Sequence, residues 1–397
     1  MSLGIYISAP FCRTKCSYCN FASDVFSKAV FEKYVDRVCV DIARSRQTAE
    51  GIGGIFENSV DSIYLGGGTP TVLEPAQLRR LFDSVRTEFA VIPSAEVTVE
   101  CAPGTITPQV LEPLLRCGVN RVSLGVQSFI DREGAAVGRL HKRSTILDDI
   151  ARLRAAGISN INIDLIAGLP HQTSESWVES LSDTIATGAP HVSVYMLEVD
   201  DESRLGRELI AGGTRYHAHF VPDDETVADF YGIACQILNE AGIKQYEISN
   251  FARYSFESRH NLKYWTRQPY LGFGLDAHSM LWSAGSEAEA VRCSTPDSLE
   301  KYTSGAGLQK MTVTRANALE ESFFLGLRLN RGVDLSEIVD EFGSDVVERL
   351  LPIIKQLESD GLVTVSDDVI CLTSPGRLLS NEVFQRFLKI DEVSAKS

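Results

Sequence analysis

Residues 4–21, GIYISAPFCRTKCSYCNF, run a short apolar segment straight into three cysteines. The opening GIYIS is rich in the β-branched and aromatic residues that suit a half-buried strand. Where it ends, Cys12-x3-Cys16-x2-Cys19 follows within eight residues. Three thiols on one loop can converge on a metal. Structural zinc is nearly always four-coordinate, and no histidine precedes His141 to complete such a site locally. Iron–sulfur clusters are held by cysteine thiolates, normally four. A three-cysteine loop leaves one iron open, as a catalytic metal site keeps a position for substrate. The loop therefore reads first as a 4Fe–4S site, with zinc as the rival. The other six cysteines, at 39, 101, 117, 235, 293 and 371, are scattered among apolar neighbours and read as small buried hydrophobes. Nine in total, without a secretion signal, make a poor disulfide framework.

Outward from this loop, strand-like and helix-like segments alternate. Strands are expected at 4–8, 61–65, 96–100, 121–126, 161–166 and 191–197. Helical spacing fills the gaps, as in PAQLRRLFDSVRTEF and STILDDIARLRAAG. Thr107-Pro108 marks one start; Gly118, Gly157 and Gly188 mark ends. Six strand–helix units in succession predict a parallel α/β sheet with right-handed crossovers. Periodicity alone does not choose between an open barrel and a doubly wound sheet. In a barrel, functional groups sit at the C-terminal ends of the strands. There the sequence places Gly66-Gly67-Gly68-Thr69, Glu100, Gln127 and Asp164, with Arg139 some three helical turns after the fourth strand. Polar groups at the same relative place on successive strands would line one mouth.

The 397 residues allow two to three domains. We divide them into a core at 1–235, a connecting segment at 236–300 that contains HNLKYW, and a C-terminal domain at 301–397. SAGSEAEAV (283–291) reads as a surface loop. The last eighty residues read as three helices, a hairpin turning at Asp367-Asp368 and a final helix, the outline of a winged helix. Its would-be recognition helix is acidic at Asp345, Glu348, Glu358 and Asp360, and the chain carries a net charge of −15, so nucleic-acid partners are not expected. No apolar run approaches membrane-spanning length and the start lacks a basic leader, which predicts a cytoplasmic protein without stable membrane insertion.

The C-x3-C-x2-C loop, with aromatic Tyr18 before its last cysteine, resembles the signature of the radical-SAM superfamily. That resemblance implies that S-adenosylmethionine completes the cluster on Cys12, Cys16 and Cys19, and that the fold is a partial (β/α)6 barrel. YISAPFC, IYLGGGTPT, VTVECAPGT, NRVSLGVQSF, GRLH, INIDLIAGLPHQT, QYEISNFA and HNLKYW are similar, in order, to motifs of the oxygen-independent coproporphyrinogen oxidase group. The group includes the HemW-type heme chaperones and class C methyltransferases. It implies that Tyr6, Gly67, Gly68, Thr69, Glu100, Gln127, Arg139 and Asp164 contact S-adenosylmethionine, and that the C-terminal region is the group's accessory domain.

Within the group the chain most resembles the HemW type. Phe21 stands where true oxidases carry a fourth cysteine, their longer N-terminal segment is not seen before Tyr6, and HNLKYW (260–265) matches the HNxxYW motif of HemW proteins. The resemblance implies a heme-binding protein that passes heme to an acceptor protein and draws on a cytosolic electron donor, with His260 as a candidate heme ligand. Porphyrinogen oxidation and methyl transfer are the enzymatic alternatives. A departure counts against the first: Ser8-Ala9-Pro10 replaces the usual His-Ile-Pro, and serine cannot titrate near neutral pH.

Overall fold

In the computed structural model, which describes residues 2–388, the six expected strands form consecutive parallel neighbours of one sheet. They are β1 (Leu3–Ala9), β2 (Ser59–Gly67), β3 (Ala90–Cys101), β4 (Arg121–Gln127), β5 (Asn160–Ala167) and β6 (His191–Met196). Helices lie between them, each with local reasons to start where it does. Pro75–Glu88 opens on proline with a Glu74/Gln77 capping box, and Ser174–Ala186 opens on a Thr173/Ser176 box. Residues 389–397 of the expected C-terminal domain lie outside the described residues.

Alternation along each strand sorts side chains between helix layer and barrel interior. Val122, Leu124 and Val126 of β4 and Ile161, Ile163 and Leu165 of β5 are buried in the main core. Their neighbours Arg121, Ser123, Asn162 and Asp164 point the other way and hydrogen-bond one another or nearby groups. The result is an apolar outer layer around a polar interior. Polar residues at these positions stay inside because every one finds a partner there.

The sheet does not stop at six strands. Tyr270–Phe273 pairs in parallel with β1 on its free edge, followed outward by antiparallel strands His278–Trp282, Ala290–Ser294 and Gln309–Val313. Asn250–Ala252 and Lys244–Gln245 extend the other edge, antiparallel to β6. Residues 236–300 are therefore built into the main sheet, and Ala290-Val291, expected in a loop, begin a strand. The C-terminal part has its own three-stranded sheet behind helices Arg315–Gly326, Leu335–Phe342 and Ser344–Ser359. Asp367 and Asp368, both in the left-handed region at φ 50° and 61°, make its two-residue hairpin turn. The apolar core of this part takes in Ile248 from one edge of the barrel and Tyr270, Met280 and Ala290 from the other. It thus packs across the side where the barrel fails to close. No helix among the described residues is long and apolar enough to cross a membrane.

Candidate functional site

The cysteine loop is pinned on both flanks. Phe11 is fully buried, its ring stacked on Phe31 at 3.9 Å and edge-on to Phe26 and Tyr34. The amides of Gly68 and Thr69 donate to the carbonyls of Ala9 and Phe11 at 2.9 and 2.7 Å, which ties the loop to the end of β2. Lys15 Nζ donates to the Ser23 and Phe21 carbonyls at 2.7 and 3.3 Å, closing the loop's far end. So held, Cys12, Cys16 and Cys19 line one cavity of about 640 Å³. Among the described residues, no three His, Cys, Asp or Glu side chains stand close enough to ligate a single ion.

The strand ends meet in the same cavity. Gly67, Gly68, Thr69, Glu100, Gln127, Arg139 and Asp164 all line it. Gly67 has φ 102°, and a Cβ on Gly68 would sit 3.0 Å from Cys12 Sγ, so bulk is excluded beside the thiol. Glu100 accepts from Tyr64 Oη at 2.8 Å and from the Gly67 amide at 3.0 Å. Burial nevertheless pushes its pKa up to about 7. Asp164 accepts from Asn162 Nδ2 at 2.7 Å and Ser123 Oγ at 3.1 Å, and burial raises its pKa as well. A register shift after Gly125 turns Gln127 into the left-handed region at φ 69°. Arg139 donates to Tyr18 Oη at 3.3 Å, next to the cysteines. His141, two residues on, donates from Nε2 to the Val126 carbonyl at 3.1 Å, and burial beside Arg139 lowers its pKa to about 4.

Polar atoms here lack partners: Gln127 Oε1 and Arg139 Nε at the strand ends, and Arg328 Nε on the far wall, are buried with no hydrogen bond. Leaving such atoms unpaired costs about 1–3 kcal/mol each, which a polar ligand in the cavity would offset. Three thiols, an excluded-bulk glycine edge, two carboxylates and the orphaned polar atoms fit an iron–sulfur cluster bearing a small zwitterionic cofactor.

Two expected residues lie elsewhere. Tyr6 faces an adjoining cavity of about 390 Å³, which shares Phe21, Ser23, Gly67 and Glu100 with the first. His260 is 1% exposed, with Nδ1 3.0 Å from Ser62 Oγ and Nε2 2.8 Å from Tyr264 Oη. Burial, with Lys263 nearby, lowers its pKa to about 3. Both ring nitrogens are engaged and neither cavity includes it, so this conformation offers iron no free nitrogen on His260. Sequence reasoning missed the far wall of the larger cavity. Arg328, Arg377 and Asn381 reach it from the C-terminal part, and no local pattern signals that approach.

The radical SAM superfamily model matches residues 6–184, and the HemN C-terminal domain model matches residues 313–379. The heme chaperone HemW of Bacillus subtilis is 33% identical over 96% of this chain and 98% of its own length. HemW of Lactococcus lactis is 31% identical, covering 98% of both. Among solved structures, the Escherichia coli coproporphyrinogen III oxidase HemN superposes with a TM-score of 0.82 at 25% identity, covering 98% of this chain and 90% of its own. The two family models fall on either side of the extra edge strands, and the relatives align from end to end. This chain belongs to the HemW family of the radical SAM superfamily.

Proposed function

We propose that this chain is a heme chaperone: it binds heme and passes it to an acceptor protein in the cytoplasm, with a 4Fe–4S cluster and S-adenosylmethionine as its cofactors. The observation that carries this reading is a three-cysteine cavity in a chain that aligns over nearly its full length with HemW proteins. Cys12, Cys16 and Cys19 hold the cluster. When bound and reduced, it supplies an electron able to cleave the sulfonium and yield a 5′-deoxyadenosyl radical. Around it, Gly67, Gly68 and Thr69 let backbone approach the cofactor, Gln127 and Arg139 offer their unpaired atoms, and Glu100 and Asp164 take its cationic and hydroxyl groups. Tyr6 borders the cofactor from the adjoining cavity. We divide the functional units at about Val313, with residues 2–313 as the barrel and residues 314–388 as the accessory domain that closes its open side.

Glu100 gives this assignment a pH signature. A cationic ligand favours ionised Glu100, whereas burial favours the neutral acid, half-populated near pH 7 in the empty site. As pH falls below 7, a proton must leave before the cation binds. S-adenosylmethionine affinity is therefore expected to drop by up to about tenfold per pH unit below 7 and to level off above it. Glu100→Gln should bind more weakly at pH 8 and lose the pH dependence. Calorimetric titrations from pH 6 to 8 would check this; a flat wild-type profile contradicts it.

The similarity to coproporphyrinogen III oxidase supports a second reading, porphyrinogen oxidation. Both readings are tested together on the reconstituted, reduced protein. Heme loaded onto the chain should appear in an apo-acceptor, and coproporphyrinogen III given with S-adenosylmethionine should return at unchanged mass. Successive loss of carbon dioxide, in step with 5′-deoxyadenosine, would make it an oxidase instead.

A further inference from the structure

We propose that heme seats in the smaller cavity, with His278 as its axial ligand and His260 as a positioning residue behind Tyr264. The proposal rests on the heme-chaperone reading above and adds where the heme sits and what holds its iron.

The chain has seven histidines. Ring nitrogens of His141, His171, His191, His217 and His260 are all in hydrogen-bonding contact. Among the described residues, His219 and His278 are the two whose rings make no hydrogen bond, and of these only His278 lines one of the two cavities described. Its side chain is 68% exposed, and Nε2 lies 4.0 Å from the nearest Asp276 carboxylate oxygen, too far for a hydrogen bond, so both ring nitrogens are open to a metal. The backbone here is rigid. His278 opens a strand paired with Ser294, and the amides of Asp276 and Ala277 donate to Pro296 O and Thr295 Oγ1 at 2.9 and 2.8 Å.

The walls suit a flat apolar macrocycle. Tyr6, Tyr264, Tyr270 and Leu275 face the cavity, and Phe21 stands at its rim with 68% of its surface exposed. Covering that ring with a porphyrin face removes apolar area from water, at about 25 cal/mol per Å². At about 390 Å³ the cavity takes one edge of the ring. Glu100 and Asp276 are the carboxylates within it, so the heme propionates point outward through the open mouth, away from like charge. Through Phe21, Ser23, Gly67 and Glu100 the same space adjoins the cysteine cavity. Heme placed here therefore lies next to the cluster site. The HNLKYW motif gains a role too: His260 Nε2 holds the Tyr264 hydroxyl at 2.8 Å, and Tyr264 forms part of the wall.

Ferric heme titrated into the full-length protein, followed by absorbance and electron paramagnetic resonance, tests this. His278→Ala should weaken binding about tenfold and lose the histidine-ligated spectrum, with imidazole restoring it. His278→Tyr should give a tyrosinate-ligated high-spin spectrum, a signal that only direct contact produces. His260→Ala should bind less tightly but keep the wild-type ligand spectrum. The proposal is overturned if His278→Ala and His278→Tyr both keep the wild-type spectrum, or if His260→Ala alone loses it. No saturable heme binding by the wild type would instead overturn the chaperone reading itself, and this inference with it.

Discussion

Replacing Cys16 with alanine is expected to leave a folded protein stripped of its cluster. Each loop thiolate secures one iron, and two cannot hold four irons and four sulfides against loss to solvent. Reconstituted protein should fall from about four irons per chain to below about one and lose its brown absorbance. S-adenosylmethionine, deprived of the open iron it would chelate, should bind at least about 100-fold more weakly. Stability of the metal-free chain should hardly change, because Cys16 is only partly buried, as are Cys12 and Cys19. Cys117→Ala is the control: that thiol is 3% exposed in the main core, where burial raises its pKa and keeps it neutral. It should cost stability and keep its iron. Iron and zinc analysis of both variants and the wild type separates a cluster from the rival zinc site, since zinc in place of iron in the wild type would end the cluster assignment. Heme transfer measured in Cys16→Ala then decides a further point. Transfer at the wild-type rate would mean that the cluster is merely structural and does not drive delivery.

The sequence made the barrel legible because its signals are local. Each of the first six strands is an apolar run bounded by turn residues, and each following helix carries its own start or stop. The strand-end ring was legible for a related reason: Glu100, Gln127 and Asp164 stand at the same relative place on successive apolar strands, and all three line the cavity. The edge strands were not legible. Asn250–Ala252 and Tyr270–Phe273 are three and four residues long and owe their existence to partners far away in the chain, β6 and β1. His260 shows the same limit on the scale of a side chain. A motif names the residue, but whether its imidazole is free depends on Ser62 and Tyr264, and only packing reveals that. Arg328 and Arg377 join the cavity wall through the second core, which no window of sequence encodes.

Gly68→Ala should damage the same site without removing a ligand. The added Cβ would lie 2.8 Å from Phe11 O, 2.9 Å from Ala9 O and 3.0 Å from Cys12 Sγ. Two of these atoms belong to the backbone at the end of β1, so no side chain can swing away to make room. Those carbonyls also accept the Gly68 and Thr69 amides that tie the cysteine loop to β2. Relief of the clash therefore stretches the bonds that place Cys12. We expect a loss of about 1–3 kcal/mol in stability, the usual range for overpacking a close-packed interior. The larger effect falls on function: cluster occupancy after reconstitution should drop severalfold, and S-adenosylmethionine binding with it. A control for stability alone is Leu124→Ala, an apolar truncation on the outer face of β4 expected to cost about 2–5 kcal/mol. If Leu124→Ala is the less stable protein yet takes up more iron, the glycine acts on the geometry of the loop. Equal iron uptake by Gly68→Ala and wild type would mean that the loop tolerates displacement, and that the contact between β2 and the cysteines does not set the cluster's place.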